Sequence, residues 1–175
     1  CKTCGGDGVV KGDEVVEINI PAGVQDGMVL TVAGKGNAGK RNGYPGDIQV
    51  LISEESNDTF ERDGQNLYYN LVLDFATATL GGEVDVPTIE GKTTVKIEPG
   101  TQPGKQIRLR GKGLPAVKGY GYGKGDIICN VTVYVPKTLT KEEKELIKKL
   151  KDSENFKADN ATKKTLFDSL KNLFK

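Results

Sequence analysis

The 175-residue sequence predicts a mainly β protein: two tandem small β-sandwich or barrel-like domains followed by C-terminal α-helices. Three observations carry that prediction. A glycine-rich segment occurs twice, apolar and polar residues alternate around each copy, and the alternation gives way to helical spacing after Pro136. The first copy reads GVQDGMVLTVAGKG from Gly23 and the second GTQPGKQIRLRGKG from Gly100, an ungapped match at an offset of 77. Identities fall at Gly23/Gly100, Gln25/Gln102, Gly27/Gly104, Gly34/Gly111, Lys35/Lys112 and Gly36/Gly113. A later GDI triplet, from Gly46 and again from Gly125, matches at an offset of 79. One module is used twice.

Each strand follows from a period of two. Val16, Ile18 and Ile20 alternate with Glu17 and Asn19, and Ile48, Val50 and Ile52 share a face. Val84 and Val86 flank Asp85, and Ile127, Cys129, Val131, Val133 and Val135 keep strict alternation. Glycines after Ile20 and Ile97 supply the backbone freedom of tight turns, and Glu90-Gly91 lies between apolar runs as a hairpin turn does. The second copy is preceded by 26 residues of further strand material, Leu67 to Lys92, which the first copy lacks. The first module is therefore expected to be incomplete, and the chain to be a fragment of a longer polypeptide.

After Pro136 the pattern is helical. Thr140 with Glu143 forms a capping box, and Leu146, Ile147 and Leu150 make a narrow apolar stripe among lysines. A polar, lysine-rich stretch follows. Leu166, Phe167, Leu170, Leu173 and Phe174 then recur at helical spacing, a stripe that would be buried by pairing with a second copy of the chain in a homodimer.

Composition removes most hydrolase readings. The chain has no histidine, which takes away the commonest general base and the usual triads. Its 25 basic and 24 acidic residues leave a formal charge of +1, so no global attraction to nucleic acid or membrane follows. Three cysteines are too few for a disulfide scaffold and point to a reducing compartment. Cys1 and Cys4 have the CxxC spacing of half a zinc site, with a reactive dithiol as the alternative. Cys129, on an apolar face, reads as a small buried hydrophobe. The segments GKGNAGKRNG and RGKGLPAVKGYGYGKG suggest a phosphate cradle or RNA patch. Neither opens a helix after a strand, and the repeat makes them equivalent turns, so both are expected to be mobile loops.

CxxCxGxG, IPAGVQDGMVLTVAGKGNAGKRNGYPGDI, FERDGQNLYY and ATLGGEVDVPTIEGKTTVKIEPGTQPGKQIRLRGKG together resemble the C-terminal half of the DnaJ family, the bacterial J-domain co-chaperones of DnaK. The resemblance covers nearly the whole chain. It implies residues 1–8 as a remnant of a cysteine-rich zinc region, 9–66 as a first client-binding β domain, 67–136 as a second β domain and 137–175 as a helical dimerisation segment. It also implies that Cys1 and Cys4 complete their zinc site with cysteines upstream, so that zinc belongs to the full-length protein and is not expected to bind here. Unfolded polypeptides, DnaK and a second copy are the implied partners, in the cytoplasm, with nucleic acid and membrane not expected. By position in the motif, Val16 and Val50 match the family's client pocket, with Ile18 and Ile48 as neighbours; core packing alone would make the same four positions apolar. The J-domain and three of the four cysteine motifs are absent, so this chain by itself is not expected to stimulate ATP hydrolysis by DnaK. Asn57 stands where the family often has His. Competing readings are a nucleic-acid-binding β protein using Arg108, Arg110, Lys112, Lys118 and Lys124 with Tyr120 and Tyr122, and a thiol oxidoreductase using Cys1 and Cys4.

Overall fold

The computed structural model describes residues 2–158, 160, 162–165 and 167. It is mainly β, with eight strands among those residues: β1 (Val29–Val32), β2 (Ile48–Leu51), β3 (Glu61–Asp63), β4 (Asn66–Asp74), β5 (Gly82–Thr88), β6 (Gly91–Ile97), β7 (Gln106–Leu109) and β8 (Ile127–Tyr134). Helix α1 (Phe75–Leu80) follows β4 and helix α2 (Lys141–Lys151) follows β8. The strands form an antiparallel β1-β2 ribbon, a β3-β4-β8-β7 sheet and an antiparallel β5-β6 hairpin. Two compact units result, Cys1–Leu67 with Arg110–Ile127, and Tyr68–Leu109 with Ile128–Lys175. They are interleaved along the chain, the divisions falling inside β4, after β7 and inside β8.

In the first unit β1 and β2 pair Leu30 with Val50 and Val32 with Ile48. These four side chains are half-buried on one face, while Val29 and Leu51 are exposed on the other. The predicted strand through Val16, Ile18 and Ile20 does not form: residues 9–20 belong to no strand, and Val15 is 98% exposed. Alternation proposes a strand, but a strand exists only where a neighbour accepts and supplies its backbone hydrogen bonds. No described side chain from residue 2 to residue 66 reaches full burial. The first unit takes its buried apolar side chains Leu67 and Ile127 from β4 and β8, and most of the described core lies in the second unit.

There Leu71, Leu73, Ala78, Val86, Val95, Ile97, Ile128, Cys129 and Val131 are buried, each large member contributing about 1.5–3 kcal/mol by leaving water. β8 buries Ile127, Cys129 and Val131 as its alternation predicts, but Ile128 is also covered, and the strand ends at Tyr134, leaving Val135 exposed. The β5-β6 turn is Ile89-Glu90, one residue earlier than expected, because Thr88 pairs with Gly91. The sequence pattern also missed α1. Asp74 caps it, its carboxylate accepting from the Thr77 N–H at 2.8 Å and the Thr77 hydroxyl at 2.6 Å. Those bonds, the hydroxyl first, hold the Asp74 carboxyl below the ordinary range.

The Thr140–Glu143 capping box opens α2 as the sequence predicts. Its stripe is real but open to solvent, with Leu146, Ile147 and Leu150 all exposed. Beyond α2 the chain is tied back by Phe156, whose ring lies 6.2 Å from that of Phe75. Residues 160, 162–165 and 167 are helical, and Phe167 is 59% exposed. Leu166, Leu170, Leu173 and Phe174 lie outside the described residues, as does Cys1. No helix among the described residues is long and apolar enough to cross a membrane.

Candidate functional site

The repeated sequence builds the same turn twice. In the first copy the Gly27 N–H donates to the Ile52 carbonyl at 2.9 Å, and the Ile52 N–H returns a bond to Met28 at 2.8 Å. In the second, Gly104 donates to Val131 at 2.8 Å and Val131 to Lys105 at 2.9 Å. Gly34 (φ 68°) and Gly111 (φ 67°) adopt the same left-handed turn, each N–H held at 2.8 Å by an aspartate, Asp47 and Asp126 respectively. Gly36 donates to Gly46 at 2.8 Å and Gly113 to Gly125 at 2.9 Å. Glycine is required at these last positions because a Cβ on Gly36 or Gly113 would sit 2.6–2.9 Å from backbone atoms. The two glycine-rich segments are thus equivalent turns, as the repeat predicts, each closed by its own backbone bonds.

The four residues assigned to the client pocket fall into two settings. Ile48 and Val50 project from β2 among the half-buried face of the β1-β2 ribbon. Val16 is half-buried and Ile18 is 37% exposed, both outside any strand. The ribbon is two-stranded, so each strand has one edge without a ladder partner in its sheet.

Sequence reasoning missed a heavily bonded side chain of this unit. Arg62 sits in β3 with its side chain 17% exposed and donates to the carbonyls of Gly23 at 2.9 Å, Val24 at 2.8 Å and Gly64 at 2.9 Å, and to Glu54 at 3.0 Å. It pins the first turn of the repeat to β3. The FERDG motif held the clue, since only the planar guanidinium satisfies several carbonyls at once. An open cleft of about 660 Å³ adjoins it, lined by Gln25, Asp26, Glu54, Asn57 and Phe60. Asn57 prepares β3: its side-chain oxygen accepts from the N–H groups of Thr59 at 2.8 Å and Phe60 at 3.0 Å. An asparagine performs that turn as well as any residue at the position.

Cys4 is a free, half-exposed thiol whose pKa is lowered by the backbone N–H groups of Gly6 and then Gly8. Those donors favour a thiolate, the form a metal takes. The residues do not complete a zinc site, however: no group of three or more His, Cys, Asp or Glu converges among the described residues. Cys129 is fully buried, and burial pushes its thiol up to about 11, as befits a packing residue.

A duplicated β module with matched turn networks, and a two-stranded ribbon beside it, defines a tandem β-module protein. The DnaJ C terminal domain family matches residues 7–136, and the chain belongs to that family. It is 56% identical over 174 residues to the Chaperone protein DnaJ of Bacteroides fragilis (strain YCH46), covering 99% of this chain and 44% of that one. Identity to the same-named protein of Bacteroides thetaiotaomicron is 55%, covering 99% and 43%, and to that of Salinibacter ruber 44%, covering 99% and 45%. The chain therefore spans about 44% of the length of the curated relatives it matches. The family is one of non-enzymatic co-chaperones.

Proposed function

We propose that the chain is the client-holding and dimerisation region of a co-chaperone, binding unfolded polypeptides, limiting their aggregation and delivering them to DnaK. The observation that carries this reading is the β1-β2 ribbon, whose edges lack ladder partners and whose Ile48 and Val50 line a half-buried apolar face. Main-chain bonding at an edge is blind to client sequence, and an apolar face beside it adds a mild preference. Val16 and Ile18 are assigned to the same client surface. Zinc would be held by Cys1 and Cys4 together with ligands from elsewhere in a longer protein, and the C-terminal apolar stripe would pair two copies in the cytoplasm.

The test is light scattering of an aggregating client with the intact chain present. Val50→Asp should abolish most of the protection, whereas Leu51→Asp, on the opposite face of the same strand, should retain it. Equal behaviour of the two variants, both shown to be folded, would remove the pocket assignment. Sedimentation of the chain with and without residues 160–175 tests the dimer: a truncated chain that still dimerises would exclude the C-terminal stripe.

A further inference from the structure

The chain's charge balance conceals a strong local imbalance. Between Glu98 and Asp126 there are six lysines and arginines and no carboxylate, so the rest of the chain carries a net charge of minus five. Four of the six, Arg110, Lys112, Lys118 and Lys124, lie in the hairpin from 110 to 125 within the first unit, all of them exposed.

That hairpin is a defined structure. Pro115 and Lys124 form an antiparallel bridge, Ala116 N–H donates to Gly123 at 3.0 Å and Gly125 N–H to Leu114 at 2.9 Å, and Leu114 N–H donates to Gln65 at 2.8 Å. Its tip turns through Gly119 (φ 92°) and Gly123 (φ 78°). Between them, Tyr120 is 86% exposed and Tyr122 fully exposed. Each tyrosine has glycine on both sides, so no adjacent side chain shields either face of its ring.

We infer that the hairpin 110–125 is a binding site for single-stranded nucleic acid, a function separate from client holding. Unshielded planar rings among cations suit a chain of planar bases joined by phosphates: bases stack on the tyrosines without regard to sequence, and the cations follow the backbone. An acidic peptide would be attracted by the same charge, but it gains little from a two-sided ring face at a hairpin tip that offers it no apolar groove.

The test is fluorescence anisotropy of the intact 175-residue chain with a labelled 20-residue oligouridylate. With four phosphate contacts, log K should fall against log salt with a slope of about −3, so that binding weakens about 50-fold between 50 and 200 mM salt. Tyr120→Ala with Tyr122→Ala should weaken binding about tenfold or more at fixed salt while leaving the slope unchanged, and the double Phe variant should restore it. Lys118→Gln with Lys124→Gln should roughly halve the slope. No binding at 50 mM salt, or an alanine pair that binds like the parent, would overturn the site. A 20-residue polyglutamate competing as well as oligouridylate would overturn the assignment in favour of an acidic polypeptide. Client protection by the alanine pair should equal that of the parent, so failure of either function is read independently.

Discussion

The Asp47 carboxylate accepts the N–H of Gly34 at 2.8 Å across 13 residues, closing the glycine-rich hairpin of the first module at its base. Asp126 does the same for Gly111 at the same distance across 15 residues. The separation changes because the loops differ by two residues, yet the bond does not. The aspartate of each GDI triplet is thus a clamp on the hairpin. Asp47→Ala should raise hydrogen exchange of the Gly34 amide about fivefold, near 1 kcal/mol, and leave Gly111 unaffected; Asp126→Ala should do the reverse. Exchange rates unaltered in both variants would show that the bonds do not hold the turns.

Close backbone approach makes a second prediction. Gly36→Ala and Gly113→Ala should each lower stability by roughly 1–3 kcal/mol, since a Cβ there meets main-chain atoms that cannot swing aside. Gly12, where a Cβ would meet nothing within 4 Å, should accept alanine without loss. Urea titration of the three variants distinguishes these outcomes.

Arg62→Ala should cost roughly 2–4 kcal/mol, because it strands the carbonyls of Gly23 and Val24. Arg62→Lys should recover only part of this, a single ammonium being unable to span three carbonyls and Glu54. Full rescue by lysine in thermal melts would mean that charge rather than the fork matters.

Helix α2 has no buried residue, so its stability is local. Thr140→Ala removes the side-chain half of the capping box and should cost about 1 kcal/mol, seen as faster amide exchange confined to residues 141–151.

Asp74 sets a pH signature. Its folded pKa lies below the unfolded carboxylate value of about 4, so its stabilisation is present above that value and is lost as pH falls through the folded pKa. Asp74→Ala should therefore lower the melting temperature at pH 7, and by progressively less as pH falls through the folded pKa. A loss that does not change with pH would indicate that the charge of the cap is not what stabilises α1.

The sequence by itself determined the duplication, most strand identities, the capping box and the family resemblance, because each rests on spacing along the chain. Gly34 and Gly111 could be equated from their place in the repeat, and Thr140 with Glu143 from their separation of three. Tertiary structure decided what spacing cannot express. Val16, Ile18 and Ile20 alternate as faithfully as the residues of β8, yet form no strand, since alternation describes a face and not the neighbour that must bond its backbone. Arg62 has no local pattern to mark its role, which arises only because the fold brings Gly23 and Val24, 39 and 38 residues away, within reach of its guanidinium. Tyr120 and Tyr122 read as loop residues until backbone bonds on either side of them defined a hairpin and left both rings in solvent. In each case the deciding quantity is a hydrogen bond or an exposure set by distant residues, which no local pattern contains.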